Sequence, residues 1–187
     1  MWRLLMIFSI LPIGAALLLR WWFGTRVLAA LGGRPCRCDQ ARWDHALGES
    51  PLLPACQDAP AGEYGHRLRL AALAQWQRDD RKRAAARESS RRFGLAVPPL
   101  SAMVAVFALI LAKIPVAGAI AIFIAATALA TAFGLLTLGE ELRAISRAAR
   151  ALREARAFIR SDDEDAVIQA AIARAWCEAL PRVLQML

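Results

Sequence analysis

The stretch "FGLAVPPLSAMVAVFALILAKIPVAGAIAIFIAATALATAFGLLTL", residues 93–138, decides the fold of this chain. It is an apolar run that is too long for one membrane span, which needs about 20 residues. Lys113-Ile114-Pro115 interrupts it once. We therefore predict a transmembrane helical hairpin over residues 93–138, with Pro98-Pro99 kinking the first arm or delaying its start.

Small side chains recur on one face of the second arm at spacings of three and four residues. They are Gly118, Ala121, Ala125, Ala128 and Ala132. Because small residues let helices approach closely in lipid, we expect this face to pack against another helix.

The N-terminal stretch "LLMIFSILPIGAALLL", residues 4–19, is followed by Arg20-Trp21-Trp22-Phe23. Such an apolar run with an aromatic and basic flank is typical of a membrane span that ends at the interface. We predict a transmembrane helix within residues 1–23. A cleaved signal peptide is the alternative, although no clear small-x-small cleavage site follows the run.

The chain has 187 residues, of which 58% are hydrophobic, and a net charge of +8 that comes almost entirely from arginine. This composition argues against an ordinary soluble domain, and no nucleic-acid recognition motif accompanies the charge. The lipid bilayer is the expected partner.

Arginines cluster after the first span and on both sides of the hairpin, whereas the hairpin tip carries only Lys113. This asymmetry predicts a multi-pass inner-membrane protein with the N-terminus and Lys113 outside and the C-terminus in the cytoplasm.

The polar segments complete an all-α integral membrane protein. Residues 24–67, rich in Cys, Pro and Gly, are predicted to form an irregular cytoplasmic loop with short helices. Residues 68–92 contain no Gly or Pro and predict one basic helix that leads to the hairpin. Residues 139–187 predict a pair of cytoplasmic amphipathic helices, the second beginning at a capping box, "SDDE", residues 161–164.

Cys36, Cys38 and Cys56, together with His45, form an alternative metal site. Zinc sites more often use cysteine pairs with two to four residues between them, so reduced cytoplasmic thiols are the simpler interpretation. Arg37, between the first two cysteines, is expected to lower their pKa values.

The segment "RAAARESSRR", residues 83–92, contains R-E-x-x-R at Arg87, Glu88 and Arg91. This is the spacing of a helical H-E-x-x-H zinc motif in which arginine replaces both histidines. A solvated face with Glu88 in a local ion pair is the other interpretation.

Beyond the hairpin, "FGLLTLGEELRAISRAARALREA" begins at residue 133. It resembles the segment F-x-L-V-T-L-P-V-E-F-x-A-S-R-R-A of a bacterial membrane family described as putative neutral zinc metallopeptidase. Further matches lie before the hairpin and at the end of the chain. The matching residues are Ala85-Ala86-Arg87-Glu88, Arg91, 96–103, Leu136-Thr137-Leu138, Glu141, Ala144, Arg147-Ala148 and Leu184-Gln185.

The resemblance implies the family's fold and places Arg87, Glu88, Arg91 and Glu141 at its zinc site. In the family the two histidines bind zinc, the first glutamate activates water, and we take the residue matching Glu141 as third ligand. Arginine stays protonated and offers only donors, so it cannot replace a histidine ligand. The expectation is a non-catalytic pseudopeptidase without cofactor, which acts through another membrane protein or a paralogous peptidase.

Two alternatives remain open. One is an active zinc metallopeptidase with other ligands, such as His45, His66 or the cysteines. The other is a metal- or redox-sensing membrane protein based on Cys36, Cys38 and Cys56. For the non-catalytic pseudopeptidase, charge balance predicts that Arg87, Arg91 or both pair with Glu141.

Overall fold

A computed structural model describes residues 2–48 and 58–186, and these are mostly helical. Two short strands, β1 (Pro35–Arg37) and β2 (Asp58–Pro60), pair antiparallel. The helices are α1 (Trp2–Arg20), a π-helical segment (Trp21–Leu28), α2 (Ala29–Leu31), α3 (Gln40–Leu47), α4 (Ala61–Asp79), α5 (Arg81–Ile110), α6 (Val116–Leu136), α7 (Leu138–Ala155), α8 (Ser161–Glu178) and α9 (Arg182–Met186).

Three helical stretches of the described chain are long and apolar enough to cross a membrane: Ser9–Leu31, Arg81–Ile110 and Val116–Ala155. The hairpin is confirmed as a pair of packed helices, α5 and α6, that reverse direction between Ile110 and Val116. The turn places Ala112 in the left-handed region, with φ of 50°. Pro98 and Pro99 do not delay the first arm, since α5 runs through them.

The small-residue face of α6 packs as expected. Gly118, Ala121 and Ala128 are buried, and Ala125 and Ala132 are half-buried. The helices α1 and α5 both pack on α6. Large apolar side chains point away from this contact, for example Met103 and Phe107 on α5, which are 67% and 69% exposed. The described chain therefore presents an apolar surface of the kind that faces lipid.

Residues 24–48 and 58–67 contain more regular secondary structure than the predicted loop. The first helix continues as the π-helical segment Trp21–Leu28 and ends only at Leu31, because the side of α8 supports it. Phe23 stacks on Trp176 of α8, with ring centroids 5.4 Å apart. After Leu31, the described residues of this region form β1, α3 and β2 with short connections. Residues 49–57 lie outside the described part.

The single basic helix predicted over residues 68–92 is wrong. The helix begins at Ala61 and ends at Asp79, because Asp80 adopts φ −141° and ψ 79°. The Asp80 carboxylate then accepts a hydrogen bond from the Arg83 backbone N–H and so caps α5. This break lets α4 lie against α7 and α8 while α5 continues into the hairpin.

The polar part has its own core between α4, α7 and α8. An aromatic cluster of Trp43, Tyr64 and Phe158 closes one end. The predicted C-terminal helix pair is present as α7 and α8, joined by a turn in which Arg156 adopts φ of 50°. The prediction of a capping box at residues 161–164 is wrong. Arg160 is the N-cap of α8, and no side chain caps this helix.

Candidate functional site

Glu141 lies in the first turn of α7 and is one of the most deeply buried charged side chains described, at 2% exposure. Each of its carboxylate oxygens accepts a hydrogen bond from a different arginine. Arg87 Nε donates to Oε2 at 2.8 Å, and Arg69 Nε donates to Oε1 at 2.6 Å. One carboxylate thus ties α4, α5 and α7 together.

Arg87 also donates hydrogen bonds to the C-terminal end of α6. Its Nη1 donates to the Gly134 carbonyl at 3.1 Å and to Thr137 Oγ1 at 2.9 Å. The last carbonyls of a helix have no partner within the helix, so a donor side chain satisfies them. Arg87 is 6% exposed, which is unusual for an arginine. The predicted pairing with Glu141 is confirmed for this residue.

Arg91 does not share that pairing. Its guanidinium donates to both carboxylate oxygens of Glu88, at 2.9 and 3.2 Å, and Arg92 binds the same carboxylate at 3.0 Å. These side chains are partly exposed, unlike Arg87. The R-E-x-x-R segment therefore contains one buried residue, Arg87, and a surface cluster around Glu88. This cluster is the solvated face with a local ion pair that was the other interpretation of the motif.

Arg69 is the functional residue that the sequence did not reveal. It lies on α4 and also binds Glu178 at the end of α8. Burial by itself lowers the pKa of Arg69, but the charges of Glu141 and Glu178 outweigh burial and raise the pKa above its ordinary value. The guanidinium is therefore a fixed cation between two carboxylates. Nothing in the sequence around residue 69 separates it from the neighbouring arginine at residue 67.

Between α4 and α5 lies a cleft of about 820 Å³, which we call the arginine cleft. Its arginines are Arg69, Arg81, Arg87, Arg91 and Arg92. Its carboxylates are Glu88, Glu141 and Glu178. All four residues that the sequence places at a degenerate zinc site thus line one cavity.

His66 also lines this cleft. Its Nδ1 is buried and has no hydrogen-bond partner among the described residues. Burial, and secondly the charge of Arg174, lower the pKa of His66 from 6.5. The imidazole is therefore neutral near pH 7, but Arg69 and Arg174 supply positive charge around it.

The residues of the cleft do not fit a zinc ion. Zinc needs neutral nitrogen, thiolate or carboxylate ligands, whereas Arg87 and Arg91 supply only donors and positive charge. Arg87 and Arg69 also occupy both oxygens of Glu141. No group of three or more His, Cys, Asp and Glu side chains that could hold a metal occurs in the described residues.

The cysteines lie elsewhere. Cys36 on β1 and Cys38 just after it are buried as free thiols, and His45 on α3 is exposed. Cys56 lies outside the described residues. The expected lowering of the thiol pKa values by Arg37 is wrong, because that side chain binds Asp58. Burial instead raises the pKa of Cys36 above 9.0 and that of Cys38 to about 12.

The arrangement is thus a charge-paired cleft beside helices that are long and apolar enough to span a membrane, and its two central arginines are held by one carboxylate. Comparison of the whole chain with family models, with curated proteins and with solved structures finds no match.

Proposed function

We propose that this chain is a membrane-embedded pseudopeptidase related to zinc metallopeptidases, non-catalytic and acting through protein interaction. One observation carries the proposal: the buried ion pair between Arg87 and Glu141. These two residues occupy the positions that the resemblance assigns to zinc ligands. A guanidinium that hydrogen-bonds the remaining ligand supplies the positive charge that a metal would otherwise supply.

The chemistry of the cleft supports loss of the hydrolytic reaction. Metal-dependent peptide hydrolysis needs a metal that polarises the carbonyl and acidifies a water molecule, with a carboxylate as general base. Glu88, which matches that base, is held by Arg91 and Arg92. A carboxylate paired to two cations is a weak base, so these residues retain the geometry of the motif without its reactivity.

The proposal places the chain in the inner membrane as a multi-pass protein. The N-terminus and the hairpin tip at Lys113 lie outside, and the arginine cleft lies on the cytoplasmic side. The arginine asymmetry supports this orientation, since positive residues are retained in the cytoplasm. The partner is then another membrane protein or a paralogous peptidase that can reach the cleft at the cytoplasmic surface.

Metal analysis of the purified full chain tests the non-catalytic assignment. We expect no stoichiometric zinc in the wild type. Bound zinc that is lost on Glu88→Gln or Glu141→Gln would favour an active metallopeptidase. Zinc that is lost only on substitution of Cys36, Cys38 and Cys56 by serine would favour the cysteine-based sensor.

Site-specific photocrosslinking in cells tests the interaction. The probe replaces Ser89, an exposed residue that lines the arginine cleft, and the control probe replaces Ser146, an exposed residue on α7 outside it. We expect one discrete protein adduct from position 89 and none of that mass from position 146. Identical adduct patterns from both positions would contradict a partner at the cleft.

A further inference from the structure

The arginine cleft carries an unbalanced charge. Five arginines line it against three carboxylates, so the walls hold an excess of two positive charges. Glu141 and Glu178 neutralise Arg69 and Arg87, the two buried arginines of the cleft. The excess therefore lies at the outer rim.

The rim consists of Arg91 and Arg92 around the carboxylate of Glu88, with Arg81 seven residues earlier on α5. Arg91 and Arg92 share that carboxylate. Arg81 forms no ion pair within residues 2–48 and 58–186. The side chains of Arg91 and Arg92 are 48% and 77% exposed, so both can turn toward a second anion without unfolding of the helix.

The rim lies where the polar part of α5 gives way to its apolar part. Phe93 and Leu95 follow Arg92 directly and are 40% and 38% exposed. A second, smaller cavity shares Arg91 with the arginine cleft and extends along Gly94 and Leu95. The cleft thus opens toward the level at which a membrane surface would meet α5, which is the depth of lipid headgroups.

We propose that the rim of the arginine cleft binds the phosphate of an anionic phospholipid. Arg91 and Arg92 donate to the phosphate oxygens, and the acyl chains lie along the exposed apolar face of α5 that includes Met103 and Val106. Guanidinium groups bind phosphate through two parallel hydrogen bonds, and basic pockets beside membrane helices recognise such headgroups. This inference concerns the rim and does not depend on the pseudopeptidase proposal.

Native mass spectrometry of the full chain in a neutral detergent tests the proposal, because the detergent removes the general attraction of an anionic bilayer. The probes are phosphatidylglycerol and phosphatidylcholine of the same chain length. We expect one phosphatidylglycerol to stay bound, with at least about tenfold preference over phosphatidylcholine, since one charge-assisted hydrogen bond corresponds to about tenfold in affinity.

The double variant Arg91→Gln with Arg92→Gln should lose that preference, and Arg91→Lys with Arg92→Lys should retain part of it. The matched control is Arg143→Gln with Arg147→Gln, which removes two exposed arginines outside the arginine cleft. Arg143 forms an i,i+3 pair with Glu140, as Arg91 does with Glu88. The control should bind phosphatidylglycerol within about twofold of the wild type, a difference below 0.5 kcal/mol.

Four results would overturn the proposal. Equal binding of both lipids, or equal loss in the rim and control variants, would show unspecific charge attraction. Displacement of phosphatidylglycerol by millimolar inorganic phosphate would assign the rim to free phosphate. Displacement by an acidic peptide at the concentration of the lipid would assign it to a protein partner. If the glutamine variant does not fold, Arg91→Lys with Arg92→Lys is compared with Arg143→Lys with Arg147→Lys, and equal phosphatidylglycerol binding by these two variants would overturn the proposal.

Discussion

Arg87 and Glu141 form a buried ion pair in which Nε lies 2.8 Å from Oε2, although the two residues are 54 positions apart in the chain. Arg69 holds the other oxygen of the same carboxylate. The consequence is a polar centre that joins α4, α5 and α7 close to the end of the apolar hairpin. Its stability, charge and accessibility can be tested separately.

The two arginines of R-E-x-x-R should differ strongly in their contribution to stability. Arg87→Met leaves one Glu141 oxygen without its donor, while the Gly134 carbonyl keeps the Thr137 hydroxyl at 3.3 Å. We expect a loss of about 3–5 kcal/mol, toward the lower figure because Arg69 remains. Arg91→Met removes only a partly exposed pair, worth about 0–1 kcal/mol. Denaturant unfolding in detergent measures both. Similar losses for the two variants would contradict the division into buried and surface residues.

Introducing histidines tests the proposed relation to zinc metallopeptidases. Arg87→His with Arg91→His should bind zinc weakly, because Arg69 still occupies Glu141. Adding Arg69→Met should tighten the binding by about 10-fold or more, since a competing cation is removed. Titration with a zinc indicator measures the affinity, and Glu141→Gln in the same background is the control that should abolish it. No zinc binding by the triple variant would mean that the site lacks more than its histidines.

Gly65 marks the closest approach of α4 to α8. A Cβ at this position would lie 2.8 Å from the Ala171 backbone nitrogen and 2.9 Å from the Ala170 Cβ. Gly65→Ala should therefore destabilise the protein by about 1–3 kcal/mol through overpacking. Gly139→Ala on α7 is the matched control, because its Cβ would meet nothing within 4 Å. That variant should gain about 0.5–1 kcal/mol from helix propensity, and thermal unfolding distinguishes the two.

His66 should make stability dependent on pH. Its pKa in the folded state lies below the unfolded value of 6.5, so between these two values the unfolded state binds more protons. Stability is then fully present above pH 6.5 and falls as pH decreases toward the lowered pKa. Unfolding midpoints measured from pH 7.5 to 5 should fall, and His66→Gln should flatten this decrease. An unchanged slope in the variant would assign the pH dependence to other groups.

The proposed orientation can be checked by cysteine labelling in intact cells. Cysteine introduced at Lys113 should react with a membrane-impermeant maleimide, and cysteine at Ser146 should react only after lysis. Both positions are exposed. The buried native thiols Cys36 and Cys38 should contribute little signal, since the raised pKa values leave few thiolates. Labelling of position 146 but not of position 113 in intact cells would reverse the orientation.

The sequence predicted the hairpin well and the helix before it poorly. Apolar length and the Lys113-Ile114-Pro115 interruption are local features, and a local feature suffices to place a turn between two membrane helices. The sequence signals the end of α4 at Asp80 more weakly. The only local feature there is the pair Asp79-Asp80 within an otherwise helical stretch. The helix breaks there because α4 packs against α7 and α8, a contact between distant segments.

By itself, the sequence determined an apolar, helical chain. Together with the family resemblance, it predicted that Arg87, Arg91 or both pair with Glu141, because a carboxylate near the membrane surface needs a balancing charge. Only the tertiary structure decided that Arg87 is buried while Arg91 is on the surface, and that Arg69 is the second partner of Glu141. The physical reason is that hydropathy and helical spacing act over a few residues. Which of several equivalent guanidinium groups reaches a buried carboxylate depends on how three helices pack.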